Sequence, residues 1–229
     1  MPDDKQHILS RFQEALDAIN GDLKNMALSV EKTTARAVQS LLERNTDLAN
    51  TVFGEDEEID QMQMRIDDEG MKAMVLYQPV AADLRRIVAV MKVAADLERV
   101  GDHAVNIAKR ARKMNKHPEI EETALLSEIQ VAASAQLHQA IQTFIDGDTE
   151  KALEVIEGDK KINELCKKAG KQLTQRMSED AERAGAYMHL SFIVRDLERI
   201  GDHAKNICED TVLSEDAIDI RHGGLTDGE

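Results

Sequence analysis

The chain has 229 residues, and its 29 Lys and Arg stand against 44 Asp and Glu for a formal net charge of −15. That balance argues against DNA or RNA as a partner, because nucleic-acid binding needs clustered cations to displace counterions; metal ions and basic protein surfaces suit it better. With no Trp, 2 Tyr, 4 Phe, 3 Pro and 12 Gly there is little aromatic strand material and few breakers, so an all-α fold is expected.

Leu9, Leu16, Leu23, Val30 and Ala37 recur every seven positions, with Phe12, Ile19, Met26 and Thr33 interleaved, the a/d seam of a helix over about 5–44. Asn45-Thr46-Asp47 offers a break and an N-cap. A second helix follows with Val52, Ile59, Met62, Ile66, Ala73 and Leu76 on one face, and ends near Gln78-Pro79 because the residue before proline resists the helical region. Its methionines Met62, Met64, Met71 and Met74 read mainly as core. Proline suits a first helical turn, so the third helix is expected over about 79–114.

Lys116-His-Pro-Glu-Ile120 interrupts the pattern and serves as a linker. Leu126, Ile129, Ala133, Leu137, Ala140 and Phe144 then mark a fourth helix. Asp146-Gly147-Asp148 supplies a C-cap glycine and a new N-cap. The fifth helix should end near residue 178, and the sixth should cover about 182–213. Three long helices per half bury their apolar stripes only by bundling, which gives two tandem three-helix bundles over 1–115 and 120–213, with 214–229 as a partly ordered tail. Ile87–Ala95 and Tyr187–Val194 are apolar on more than one side and should lie between the bundles. No apolar run approaches the ~18 residues of a membrane span, and the first residues lack the regions of a signal peptide; a cytoplasmic protein is expected. Cys166 and Cys208 fit neither a disulfide framework nor a redox or zinc pattern, and read as core residues or free thiols.

Ten of thirteen residues in 96–108 (DLERVGDHAVNIA) return in 196–208 (DLERIGDHAKNIC). A duplication that keeps its acids implies two copies of one unit carrying one device. Leu97, Val100, Ala104 and Ile107 form its core stripe. Glu98, Asp102 and Asn106, and likewise Glu198, Asp202 and Asn206, fall at successive i+4 positions on another face. Like charges at that spacing cost an isolated helix roughly 0.2–0.5 kcal/mol, which a bound cation would offset. A solvated acidic face is the plainer alternative for either line taken singly.

Folding the chain about Pro79 sets Asp60 opposite Glu98 and Asp56 opposite Asp102, and folding about Asp180 sets Asn163 opposite Glu198 and Asp159 opposite Asp202. Two groups of oxygen donors result: Asp56, Asp60, Glu98 and Asp102, then Asp159, Asn163, Glu198 and Asp202. Such hard ligands suit magnesium, calcium, manganese or iron over structural zinc; iron or magnesium is favoured, and more than one ion per group is open. The amide of Asn163 should make the second site weaker. His103 and His203 repeat but lack the Glu-x-x-His spacing of di-iron bundles, so they should support the acids or face solvent. Arg99 and Arg199 either neutralise the acids or lie on the surface. Gly101 and Gly201 sit mid-helix, which implies close approach of a helix or ligand. No P-loop, nucleophile elbow, dinucleotide fingerprint or catalytic cysteine signature is visible, so no enzyme is expected.

The doubled Leu-Glu-Arg-Val/Ile-Gly-Asp-His-Ala block, Gln78-Pro-Val-Ala-Ala-Asp-Leu-Arg85 and the Arg221-His-Gly-Gly224 tail together resemble the PhoU family of phosphate-uptake regulators. The resemblance implies two spectrin-repeat-like three-helix bundles related by a pseudo-twofold axis, with metal motifs at Asp56, Asp60, Glu98 and Asp102, and at Asp159, Glu198 and Asp202. It also implies a cytoplasmic, homodimeric negative regulator that reaches the membrane only through partners. Those are the ATPase subunit of a high-affinity phosphate ABC transporter (PstB-like) and a sensor histidine kinase (PhoR-like). A low-affinity phosphate transporter as partner and a di-metal carboxylate oxidase are the competing readings; the missing Glu-x-x-His argues against the oxidase.

Overall fold

The computed structural model describes residues 2–221, with side chains from residue 10 onward. Six long helices carry the fold: α1 (Pro2–Leu42), α2 (Thr46–Tyr77), α3 (Ala81–Met114), α4 (Leu125–Asp146), α5 (Thr149–Glu179) and α6 (Ala184–Asp216). Short 3-10 turns, Glu121–Ala124 and Ala181–Arg183, lead into α4 and α6. No helix among the described residues is long and apolar enough to cross a membrane.

The caps lie where the sequence placed them. Asn45 Oδ1 accepts from the Leu48 amide at 3.0 Å, and Asp148 Oδ1 accepts from the Lys151 amide at 3.0 Å. Each satisfies a first-turn N–H that would otherwise go unpaired, worth about 1 kcal/mol. The expectation for Pro79 needs correction. Gln78 closes α2 in the left-handed region (φ 49°, ψ 52°), Val80 is extended, and α3 begins at Ala81 rather than at the proline. With αR denied to the residue before proline, the chain turns through αL and needs two residues to redirect. At the other end, α6 continues three residues past the expected Leu213. Beyond it Ile220 packs against the core; His222, Gly223 and Gly224 and the rest of the tail lie outside the described residues.

The α1 seam is buried from Phe12 to Ala37, as are all six marker residues of α4, and Leu97, Val100, Ala104 and Ile107 have no exposed surface. Leu9 falls outside the described side chains. On α2, Val52, Ile59, Ile66 and Ala73 are buried, but Leu76 is 70% exposed. At 100° per residue the position that follows Ala73 inward is Tyr77, whose ring meets Phe12 edge-on at 5.6 Å. Met62 and Met74 pack on the core, whereas Met64 and Met71 are 59% and 51% exposed, so the reading of all four as core is corrected for that pair.

α3 and α6 lie antiparallel and join the bundles. The contact runs along both helices rather than only along their N-terminal parts. Arg85 Nε donates to the Ser214 carbonyl at 3.3 Å, Lys92 Nζ to Asp210 Oδ1 at 2.9 Å, and the Arg110 guanidinium lies 4.0 Å from the Phe192 ring centre. α1 also touches α4, through a hydrogen bond between His138 Nδ1 and the Glu31 carboxyl at 2.8 Å.

Candidate acidic site

α2 and α3 bring Asp56, Asp60, Glu98 and Asp102 together. A Cβ placed on Gly101 would stand 3.0 Å from Asp56 Oδ1 and 3.5 Å from Ile59, so the bare backbone at 101 lets α2 lean in. Glycine there costs about 1 kcal/mol of helix propensity. The register is within one residue of the sequence pairing of Asp56 with Asp102. Burial above all, and then the charges of Asp60, Asp102 and Glu98, raise the Asp56 carboxyl to about 6, with Lys109 opposing. Glu98 is raised too, by burial first and then by Asp102, with Arg99 opposing. Four carboxyls thus share one field, as crowded like charges must.

α5 and α6 repeat the plan with different chemistry. Asp159 Oδ1 stands 3.5 Å from a Cβ position on Gly201. Asn163 Nδ2 donates to Asp159 Oδ2 at 2.7 Å, and Gln136 of α4 donates to Asp159 Oδ1 at 3.4 Å. Glu198, Asp159 and Asp202 all act on the nearby Cys166 thiol, which burial above all pushes up to about 12. Both cysteines are buried and free, which settles them as core residues.

The arginines lie across the acids. Arg99 Nη1 reaches Asp102 Oδ2 at 3.2 Å and its Nε stands 3.5 Å from Glu98; Arg199 Nη1 reaches Asp202 Oδ2 at 2.9 Å. All of these groups are partly or largely exposed, so each pair contributes at most ~1 kcal/mol. Among the described residues, no three His, Cys, Asp or Glu side chains are gathered closely enough to hold an ion as they stand.

The histidines face the seam. His103 Nδ1 pairs with Asp196 Oδ1 at 3.0 Å, His203 Nδ1 pairs with Asp96 Oδ1 at 2.7 Å, and the two rings are 5.6 Å apart. Each bundle therefore offers its histidine to the other's aspartate, as a pseudo-twofold axis between α3 and α6 requires. Asn206 also turns to the seam and donates to Asp96 Oδ1 at 3.1 Å, so it leaves the acidic line on which its spacing placed it. The roles of Asp96 and Asp196 were missed by sequence reasoning. Their signal was present: Asp96 and His103 are seven apart, one stripe of a helix, and the pair is duplicated. Glu55 was missed as well. It bonds Arg36 and Thr33 of α1, and the second bundle has no repeat of that ion pair because Gly158 stands one residue before Asp159, where Glu55 precedes Asp56.

These features define a duplicated all-helical scaffold, with two related acidic groups flanking a crossed His–Asp seam. The sequence pattern of the PhoU domain matches residues 23–111 and 126–211, and the chain belongs to the PhoU family. The phosphate-specific transport system accessory protein PhoU homolog of Pseudomonas aeruginosa is 34% identical over 96% of this chain and 91% of that protein. The homolog of the same description from Pseudomonas putida is 35% identical over 96% and 86%. The crystal structure of PhoU from P. aeruginosa superposes with a TM-score of 0.87 at 32% identity, covering 90% of this chain and 99% of that one. A phosphate transport system regulatory protein PhoU from Streptococcus pneumoniae shares the fold, with a TM-score of 0.82 at 24% identity over 95% and 100%.

Proposed function

We propose that the chain is a non-enzymatic adaptor of phosphate uptake, which represses phosphate-starvation genes by coupling a high-affinity phosphate ABC transporter to a sensor histidine kinase. One observation carries the reading: a duplicated acidic device on a helical scaffold whose relatives are named accessory proteins of phosphate-specific transport. It acts as a homodimer in the cytoplasm, docking the transporter's ATPase subunit, the kinase, or both.

The acidic groups fit hard metal ions in donor chemistry. The first offers four carboxylates whose mutual repulsion a cation would relieve; the second offers Asp159, Glu198, Asp202 and the Asn163 amide. Holding an ion would take side-chain rotation on helices that are already in register, with release of Arg99 or Arg199 from Asp102 or Asp202. A bound ion would supply positive charge to an otherwise acidic face. The test is alkaline phosphatase expression at high phosphate in cells lacking the gene, complemented with the wild type or with Glu98→Gln/Asp102→Asn. Constitutive expression without the gene, corrected only by the wild type, supports the reading. Normal repression without the gene removes it, and full correction by a metal-free variant confines the ions to structure.

A further inference from the structure

An open cavity of about 740 Å³ lies over the α3–α6 seam, with α5 and the segment after α6 at its edges. Lys92, Arg99, Lys205 and Arg221 line it, drawn from both bundles of a chain whose net charge is −15, and so do Asp96, Glu209 and Asp210. The side chains of the four cations are 36–64% exposed and those of the three acids only 8–16%. A ligand entering from solvent therefore meets positive charge first. The acids lie deeper and leave the cations donors to spare. Lys92 Nζ donates to Asp210 at 2.9 Å and keeps two of its three N–H groups; Lys205 Nζ stands 3.7 Å from Glu209, beyond hydrogen-bond reach. Arg221 donates to Asp219 through Nε and Nη2, which leaves its Nη1 side. Arg99 also lies on Glu98 and Asp102, so it is the least free of the four.

The volume is that of a small-molecule site rather than of a bare oxyanion. Ala95, Ile156 and Ile220 give it an apolar wall. Across the pseudo-twofold axis, Phe192 and Arg195 stand where Lys92 and Ala95 stand here, and the Phe192 ring lies 4.0 Å from the Arg110 guanidinium. One side of the seam thus fills this place with a ring under a cation, and the other leaves it open. The deeper acids add acceptors. Asp96 takes its bonds from His203 and Asn206 on Oδ1, so Asp96 Oδ2 and the Glu209 carboxylate accept no hydrogen bond among the described residues. We propose that the cavity binds a purine nucleotide. Its phosphates meet Lys92, Lys205 and Arg221, its base lies on the apolar wall, and the N–H donors of the base meet Asp96 and Glu209. An inorganic oxyanion would use the cations alone, and a cationic ligand would be repelled by the exposed rim.

The test is calorimetric titration of the full-length protein with ATP, GTP, pyrophosphate and adenosine. EDTA is present throughout, so that no metal ion on the acidic groups bridges to the phosphates. ATP or GTP should saturate one site, with pyrophosphate and adenosine each at least tenfold weaker. Lys205→Ala/Arg221→Ala, which removes two of the cations, should weaken the nucleotide at least tenfold. Ala95→Phe, which fills the place of the base from an exposed helix position, should do the same. Neither variant touches the core, and circular dichroism checks that both keep the fold. Absence of saturable binding by ATP and GTP overturns the proposal, as does nucleotide binding that either variant leaves unchanged. Pyrophosphate that binds as tightly as ATP also overturns it, because the ring then contributes nothing and the cations form a plain oxyanion site.

Discussion

Asp56 and Asp159 occupy matching places in the two repeats, one carboxyl against Gly101 and the other against Gly201, but their neighbours differ. Asp56 meets three more acids and holds its proton up to about pH 6. Asp159 meets the amides of Asn163 and Gln136, both donating to it. The same backbone thus carries one group of crowded carboxyls and one whose key carboxylate already accepts two hydrogen bonds. Charge placement, free to drift while the core stays put, differentiates two halves whose packing is alike.

The deepest likeness is tested in the core. Leu97→Ala and Leu197→Ala each empty a fully buried site and should each cost about 3 kcal/mol. Urea unfolding should show one transition for both variants, since α3 and α6 share the seam; two transitions would mean that the bundles fold independently. The seam itself is less symmetric. Lys92 pairs with the buried Asp210, while the corresponding Phe192 lies under Arg110. Lys92→Met strands a buried carboxylate and should cost about 2 kcal/mol, moderated because Lys92 is partly exposed. Phe192→Ala should cost about 1 kcal/mol, and equal losses in thermal unfolding would remove the distinction.

The acidic groups can be made alike by substitution. Asn163→Asp should raise divalent-ion affinity at the second group roughly tenfold if ligand charge sets affinity, and Asp60→Asn should lower it at the first, both read by calorimetry on chelator-stripped protein. No change in either variant would break the reading of these groups as cation sites. The smallest effect is in pH. Asp56 keeps its proton in the folded chain to about pH 6 but gives it up near the ordinary aspartate value of 3.8 when unfolded. The folded state therefore binds more protons between those values, and this contribution to stability is lost as pH rises through that window. Metal-free Asp56→Asn should lack that part of the decline in melting temperature.

Much of this was legible in the residues. Helical periodicity is a local property, so the seams of α1 and α4 and the caps at Asn45 and Asp148 could be read directly. The pairing of α2 with α3 followed from the short turn at Gln78-Pro79, because antiparallel register depends on turn position alone. The outward turn of Leu76, Met64 and Met71 was not legible, since apolar character does not say which of several adjacent positions a 100° step carries inward. Nor was the direction of His103 and Asn206.

By itself, then, the sequence determined that the chain is a duplicated helical protein with two acidic groups, because repeats, apolar stripes and like-charge spacing are written along one dimension. Only the tertiary structure decided that the bundles cross histidine to aspartate between α3 and α6, and that Gln136 and Asn163 satisfy Asp159 while Asp56 stays crowded. Those facts depend on which faces of distant helices meet, and burial and charge act through space rather than along the chain.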